Sequence, residues 1–220
     1  MPVSETEDGE RQLCCSRCSL VYGTEILYAT GTVGLAFIKN GNHYNVSGYT
    51  GANHKVFIPA YHNGLPVLGV NAYALSQKHH VTHLEIAEGV QIIGQAAFLQ
   101  TPLFCVTLPQ SITRIDGAAF SQTNLTSFEV PVSVVSLSPA VFSGTGLSNL
   151  TVAEGNTRYH SYGNSVIETV SDTLIIGTKN SVIADYVSGI GDYAFNAIVG
   201  LSDSFFASLE TKGKRKSGFA

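Results

Sequence analysis

The sequence of 220 residues contains only 13% charged side chains, and its formal net charge is −4. Four of its 12 basic residues fall in the last nine positions, so the rest of the chain carries 8 basic and 16 acidic side chains, a net charge of −8. An acidic body argues against a nucleic-acid-binding protein. The sequence also has no run of 18 apolar residues, which argues against a membrane span.

The first 19 residues form an acidic, cysteine-containing segment that we predict to be disordered. They lack the basic and apolar regions of a signal peptide. Cys15 and Cys18 have the spacing of half a zinc knuckle, but a structural zinc site needs four ligands and the second pair is missing. We interpret them, with Cys14, as a remnant of a neighbouring segment or as exposed thiols. Neither a metal nor a cofactor is predicted.

Residues 20–50 are predicted to form an N-terminal capping hairpin. Strand-like stretches at 35–39 and 43–46 flank the dipeptide Asn40-Gly41. Asn-Gly favours the positive φ angles of a type I′ turn, the tightest connection between two antiparallel strands. A hairpin here would cover the open end of the first coil of the repeat that follows, as a solenoid requires for solubility.

The centre of the chain repeats one pattern, in which Phe98, Phe120 and Phe142 stand 22 residues apart. Each copy combines an Ile-Gly-like pair, an Ala-Phe-like pair and a Leu-x-x-Leu-x-Leu segment. A period in the low twenties fits one coil of a leucine-rich-repeat solenoid, whose Leu-x-x-Leu-x-Leu segments pair in parallel from coil to coil. We therefore predict a β-rich, right-handed solenoid over residues 51–200, with coils of about 22–23 residues, a parallel sheet on one face and terminal caps.

Two segments interrupt the solenoid pattern. The loop 60–66 is five residues longer than the corresponding link after Leu108, so it is expected to bulge outward. Residues 156–182 form an insertion in which 165–169 and 173–176 predict a second hairpin. The insertion could present a partner-specific surface or be an inert loop.

Residues 201–220 are interpreted as a C-terminal cap and a basic tail. Ser202 or Asp203 can begin a short helix, and Gly213 suits its end. A final strand is the alternative to this helix, and contact of the tail with an acidic partner is the alternative to a solvated tail.

Two histidines four residues apart, His79 and His83, raise the question of a metal site. On a helix they would share one face. The apolar spacing of Val81, Leu84 and Ile86 instead places His83 on or beside a strand and His79 in the preceding turn. We interpret them as surface histidines.

The repeat resembles the BspA-like branch of leucine-rich repeats. The likeness is carried by Val187-Ser-Gly-Ile-Gly-Asp-Tyr-Ala-Phe195, by Leu108-Pro-Gln-Ser-Ile-Thr-Arg-Ile115, and by the lead-in from Tyr49 to Val67, which together cover about residues 44–196. The resemblance implies a bacterial or protozoal surface or secreted protein that adheres to host proteins or other cells. It also favours an inert insertion, because inserts that begin Asn-x-x-Tyr, here Asn156 to Tyr159, recur among such repeats.

The side chains between the apolar residues of each Leu-x-x-Leu-x-Leu segment are predicted to face outward and to form the binding surface. Most are polar, small and neutral, and two are aromatic. Exposed aromatic rings are frequent binding hot spots, but Phe57 could instead pack under the loop before Val67. The predicted binding residues are Phe57, Thr82, His83, Glu85, Phe104, Thr107, Thr126, Glu129, Asn149 and Thr151.

An enzyme would need paired catalytic groups. Glu85 and Glu129 lie two strands apart, which places them about 10 Å from each other, close to the roughly 6.5–9.5 Å between the carboxyls of an inverting glycosidase. An open sheet would not bury an acid and raise its pKa. We therefore predict a non-enzymatic protein-binding module. The BspA-like resemblance implies that this module is a cell-surface or secreted adhesion protein whose partner is a host extracellular-matrix or cell-surface protein. An intracellular scaffold of the same fold is the alternative, and a glycan-active enzyme using the two glutamates comes third.

Overall fold

A computed structural model describes residues 9–14, 21–27, 31–196 and 198. These residues form a β-solenoid of about five turns, which confirms the predicted fold class. No helix occurs among them. Their strands are β1 (Gly9–Cys14), β2 (Val21–Leu27), β3 (Leu35–Asn40), β4 (His43–Tyr49), β5 (Lys55–Ile58), β6 (Tyr61–His62), β7 (Leu65–Val70), β8 (His83–Ile86), β9 (Ile92–Ile93), β10 (Cys105–Thr107), β11 (Arg114–Ile115), β12 (Ser127–Val130), β13 (Ser136–Leu137), β14 (Asn149–Val152), β15 (Tyr159–Tyr162), β16 (Ser165–Glu168), β17 (Thr173–Ile176) and β18 (Gly189–Ile190).

The Leu-x-x-Leu-x-Leu segments form the strands of one face, here called the front sheet: β5, β8, β10, β12 and β14. Strand β8 pairs in parallel with β5 on one side and β10 on the other, and β12 pairs in parallel with β14. The pairing is in register with the repeat, since Leu84 faces Val56 in one neighbouring strand and Val106 in the other. Equivalent positions of successive coils therefore lie side by side, as predicted.

A second parallel sheet, which we did not predict, runs along another side of the solenoid. It contains β7, β9, β11 and β13, and the hairpin β3–β4 extends it at its N-terminal end. The short strands come from the Ile-Gly-like segments; Arg114 and Ile115, for example, pair with Ile92 and Ile93. The prediction of a sheet on one face was too simple, because any segment that repeats in register can form a parallel ladder.

The core lies between the two sheets and is built from the repeated apolar positions. Phe98, Phe120 and Phe142 are buried. Their rings stack from coil to coil, with centroids 5.3 Å apart for the first pair and 6.0 Å for the second. Each ring covers its neighbour, so a single coil could not form this core alone.

The predicted hairpin β3–β4 is present, but its turn is shifted by one residue. Asn40 pairs with His43, so Gly41 and Asn42 are the central residues. Gly41 has a φ of +61°, and Asn42 is not among the described residues with positive φ. A type I′ turn needs positive φ at both central residues, whereas a type II′ turn needs it at the first only, where glycine is preferred.

Two strands precede this hairpin in the described part of the chain, β1 and β2. Strands β1 and β2 pair in antiparallel fashion, so the expected disorder of residues 1–19 is wrong for Gly9–Cys14. Polar composition does not prevent a strand whose backbone groups are satisfied by a neighbouring strand rich in β-formers, such as β2. Cys15 and Cys18 lie outside the described residues, as does the predicted C-terminal helix.

The loop 60–66 folds back on itself as a short hairpin. Strand β6 pairs with the start of β7, with Tyr61 opposite Pro66 and His62 opposite Leu65. Asn63 and Gly64 both have positive φ, 49° and 74°, as a type I′ turn requires. The Tyr61 side chain is exposed, in agreement with the predicted outward bulge.

The insertion 156–182 is an integral layer of the structure rather than a loop. Strands β16 and β17 pair in antiparallel fashion over the stretches that predicted a hairpin, β15 adds a third strand, and β17 pairs in parallel with β18. Neighbouring residues of β16 point to opposite faces. Val166 joins the main core, whereas Ile167 joins a second, smaller core around Leu174 and Phe195.

Candidate protein-binding surface

The front sheet places most of the predicted binding residues on one face. Phe104 is the most prominent, with 46% of its surface exposed. Thr126, Glu129 and Asn149 are also exposed. The half-buried members are Phe57, Thr82, Glu85, Thr107 and Thr151.

His83 does not lie on the surface as predicted. It is 8% exposed, because the Phe104 ring packs edge-to-face against its imidazole with centroids 4.2 Å apart. Its Nδ1 lies 2.9 Å from the Thr82 hydroxyl. Burial, and to a lesser extent the charge of Lys55, lowers the pKa of His83. His83 therefore packs beneath the exposed Phe104 ring, and its own imidazole is not accessible to a partner.

Phe57 lies at the N-terminal edge of the front sheet, where residues 31–33 cover the strand. The Phe57 amide donates to the Thr32 hydroxyl at 2.7 Å, and the Thr32 amide donates to the Phe57 carbonyl at 3.1 Å. The side chain is half-buried. Of the two aromatic residues proposed as anchors, Phe104 is thus the more accessible.

A cleft interrupts the front sheet between β10 and β12. Within residues 31–196, β10 pairs with β8 and β12 pairs with β14, but no ladder joins β10 to β12. The cleft has a volume of about 110 Å³. It is lined by Val106, Thr107, Leu108, Gln110, Ser127, Phe128, Glu129 and Pro131.

Proline contributes to this interruption. In two other coils, the residue after the front segment extends the pairing: the Ala87 amide donates to the Ile58 carbonyl, and the Ala153 amide donates to the Val130 carbonyl, each at 2.9 Å. The equivalent residue after β12 is Pro131, which has no amide hydrogen to donate. The pairing with the preceding coil therefore cannot extend to this position. Pro109 stands at the equivalent position after β10, and β10 still pairs with β8, so proline shortens the ladder and does not break it alone.

An aromatic substitution in the repeat also contributes. Phe128 occupies the position held by leucine or valine in the other front strands. Its ring lies 4.6 Å from that of Phe142 in the next coil and 5.5 Å from that of Phe120. The Phe128 ring thus packs against the next coil, and Val106 remains only partly buried, although its equivalent Leu84 is buried. The sequence contained this signal, but we did not use it.

The cleft changes the relation between the two glutamates proposed for catalysis. Glu85 faces Thr107 across a paired ladder, whereas Glu129 lies on the far side of the break. The spacing of about 4.8 Å per strand on which the predicted separation depended requires continuous pairing, which is interrupted here. The cleft does bring Thr107 and Glu129, both predicted binding residues, to one site.

A metal site and a membrane span would each need particular features in the described part of the chain. Among the residues the structure describes, no group of three or more His, Cys, Asp or Glu side chains could hold a metal ion. Nor does that part contain a helix long and apolar enough to cross a membrane.

Comparison with known proteins identifies the repeat. Six copies of the BspA type leucine rich repeat region match residues 67–196, more than half of the chain. The chain belongs to the BspA-type leucine-rich repeat family. The family indicates a protein-interaction module. Comparison with curated protein sequences finds no match.

Solved structures of bacterial leucine-rich repeat proteins are similar to this BspA-type chain. The leucine rich repeat protein of T. pallidum is 18% identical with a TM-score of 0.57, over 83% of this chain and 95% of that one. The pneumococcal vaccine antigen PcpA is 20% identical with a TM-score of 0.55, over 65% of this chain. A leucine-rich repeat protein from Eubacterium ventriosum is 14% identical with a TM-score of 0.52, over 76% of this chain. The match spans only 40% of the PcpA chain and 56% of the Eubacterium chain. At these identities the likeness concerns the fold.

Proposed function

We propose that this chain is a protein-binding module that acts in adhesion at the cell surface or after secretion, and that it binds through the front sheet. The observation that carries the proposal is the exposed Phe104 ring, which packs on His83 and lies immediately before β10, one of the two strands that flank the cleft. Aromatic side chains, phenylalanine among them, are enriched at the centres of protein interfaces.

The surrounding surface has the properties of an interface rim. Thr126 and Asn149 are exposed polar residues on the neighbouring coils, and a polar rim around an apolar centre is typical of protein interfaces. The similarity to a pneumococcal vaccine antigen supports a surface location for this chain, and the predicted partner is an extracellular-matrix or cell-surface protein of a host.

The binding face can be tested with purified extracellular-matrix proteins immobilised one at a time. Phe104→Ala should weaken capture by about fivefold or more, the effect of losing roughly 1 kcal/mol of binding free energy. Asn149→Ala, which leaves the His83 contact intact, should weaken it as well. The matched control is Val135→Ala, an exposed apolar residue beside the second sheet. Equal capture by all four proteins would exclude the front sheet as the binding face.

Location requires a separate test. An antibody against the chain should label intact cells of the source organism if the protein acts at the surface. Labelling only after permeabilisation would favour the intracellular scaffold.

A further inference from the structure

Two exposed tyrosines cluster at the C-terminal end of the described solenoid. Tyr162 ends β15, and Tyr186 lies in the loop before β18. Their ring centroids are 6.0 Å apart and the ring planes are inclined by 76°. The residues are 47% and 48% exposed, so each ring keeps a large accessible surface despite the contact.

The second of these rings is held in place by a histidine. The Tyr186 hydroxyl lies 3.1 Å from Nε2 of His160, and Nδ1 of the same imidazole lies 3.2 Å from the Thr169 hydroxyl. The imidazole and the Tyr186 ring also contact each other, with centroids 5.9 Å apart. A ring fixed in this way loses little conformational entropy when a ligand binds.

The backbone beneath Tyr162 is also fixed. The amide of Val182 donates to the carbonyl of Gly163 at 2.8 Å, and the hydroxyl of Ser181 donates to the carbonyl of Asn164 at 2.9 Å. The segment 181–182 thus straps the turn that follows β15. Tyr162 is therefore presented by the end of a strand whose following turn is strapped, and Tyr186 by a turn, with its ring held by His160.

The carboxylate of Asp172 supplies negative charge near the cluster. Asp172 precedes β17, and its backbone carbonyl accepts the amide of Ser188, two residues after Tyr186. The pKa of Tyr186 is raised, first by burial and then by the negative charge of Asp172, with Tyr162 as the last contributor. The guanidinium of Arg158 is engaged with Glu168 at 2.5 Å. A cation that approached the rings would be attracted by both the π faces and the aspartate.

We propose that Tyr162 and Tyr186, with Asp172, bind a lysine or arginine side chain of a basic segment in a partner protein. Aromatic faces attract such cations when they lie within about 6 Å of the ring centroid. The site shares no residue with the front sheet, so its failure would not affect the function proposed above. A neutral glycan is the competing ligand, since sugars also stack on exposed tyrosines.

The test uses the whole chain and a fluorescein-labelled peptide of alternating glycine and arginine. Binding is measured by fluorescence anisotropy at low salt, beside the same peptide with each arginine replaced by citrulline, which keeps the shape and removes the charge. The arginine peptide should bind at least about fivefold more tightly. Absence of binding, or equal binding of the two peptides, would overturn the proposal, as would displacement of the peptide by neutral oligosaccharides.

Matched variants assign the binding to the rings. Tyr162→Leu and Tyr186→Leu should each weaken binding about two- to fivefold, the range of an exposed cation–π contact, whereas Tyr162→Phe should retain it. Asp172→Asn should weaken binding and reduce its dependence on salt. Unchanged affinity in both leucine variants would refute the site. Thermal unfolding of each variant shows whether the fold is preserved.

Discussion

A single hydroxyl closes the C-terminal edge of the second sheet. In each preceding coil, the edge groups of a second-sheet strand pair with the backbone of the next coil; Thr113, for example, accepts the amides of Val135 and Ser136. At β13 this role passes to the side chain of Tyr159. Its hydroxyl accepts the Leu137 amide at 3.2 Å and donates to the Val135 carbonyl at 3.4 Å.

Asn156, the first residue of the Asn-x-x-Tyr motif that ends at Tyr159, forms hydrogen bonds with the turn before β13. The side-chain amide of Asn156 donates to the carbonyls of Pro131 and Val134 at 2.9 and 3.0 Å, and its oxygen accepts the Tyr159 amide at 2.8 Å. The motif was noted in the sequence as a family trait. Its role depends on which backbone groups are left at the end of the sheet, and no sequence pattern specifies those groups.

Tyr159→Phe should lower the free energy of unfolding by about 1–3 kcal/mol, because the buried Leu137 amide loses its acceptor. Urea denaturation measures this change. Tyr162→Phe, three residues further along the same strand, is the control and should have little effect since its side chain is exposed. Equal stability of both variants would show that the hydroxyl does not contribute.

The burial of a residue could be predicted where its position in the repeat determines burial. It could not be predicted where burial depends on a contact with a side chain of the neighbouring coil. The stacked phenylalanines followed directly from the 22-residue period. His83 did not, because its burial depends on Phe104 lying across it, a contact between adjacent coils. Side-chain alternation along one strand contains no information about such contacts.

Among the elements, strands β10 and β12 differ from the rest of the front sheet because no ladder joins them. The strand positions themselves were predictable from the Leu-x-x-Leu-x-Leu segments. Their pairing was not predictable, since it depends on the space required by the Phe128 ring, whereas proline at position 109, the equivalent of position 131, leaves β10 paired with β8. The hairpin β3–β4 likewise shows that strand positions are easier to predict than their pairing. Its strands were predicted correctly, but its turn was placed one residue too early.

Hydrogen exchange should reveal this break. The amides of β10 and β12 are expected to exchange faster than those of β8, which has a paired strand on both sides, because exchange follows local opening. Strand β11, in the same coil as β12 but paired on both sides in the second sheet, is the internal reference. Equal protection of β8, β10 and β12 would contradict the broken ladder.

At the scale of the whole molecule, the main core and the smaller core lie on opposite faces of the sheet formed by the insertion. Strand β16 turns Val166 toward the main core and Ile167 toward the smaller one. The sequence located the insertion, because the interval from Phe142 to Phe195 is 53 residues rather than a multiple of 22. The division of the core could not be predicted, since it depends on which face of the added sheet each coil covers.

The smaller core should unfold first, since repeat stability depends on contacts between neighbouring units. The chain has no tryptophan, so single substitutions supply clean fluorescent reporters. Tyr186→Trp, beside the smaller core, should unfold at a lower urea concentration than Tyr61→Trp near the N-terminal coils. Circular dichroism of both variants checks that neither substitution shifts overall stability. Coincident transitions would instead indicate one cooperative unit.

The hydroxyl at the end of the second sheet also bears on self-association. A parallel sheet with an unfilled edge is a template for another β-strand, and coils that join head to tail with a fixed rotation can continue without limit into a filament. Tyr159 occupies this edge with a side chain that cannot itself be extended by a further strand. The β13 edge of the sheet is thereby blocked, so a strand of a second copy cannot pair with it at these positions to continue the sheet from one molecule into the next.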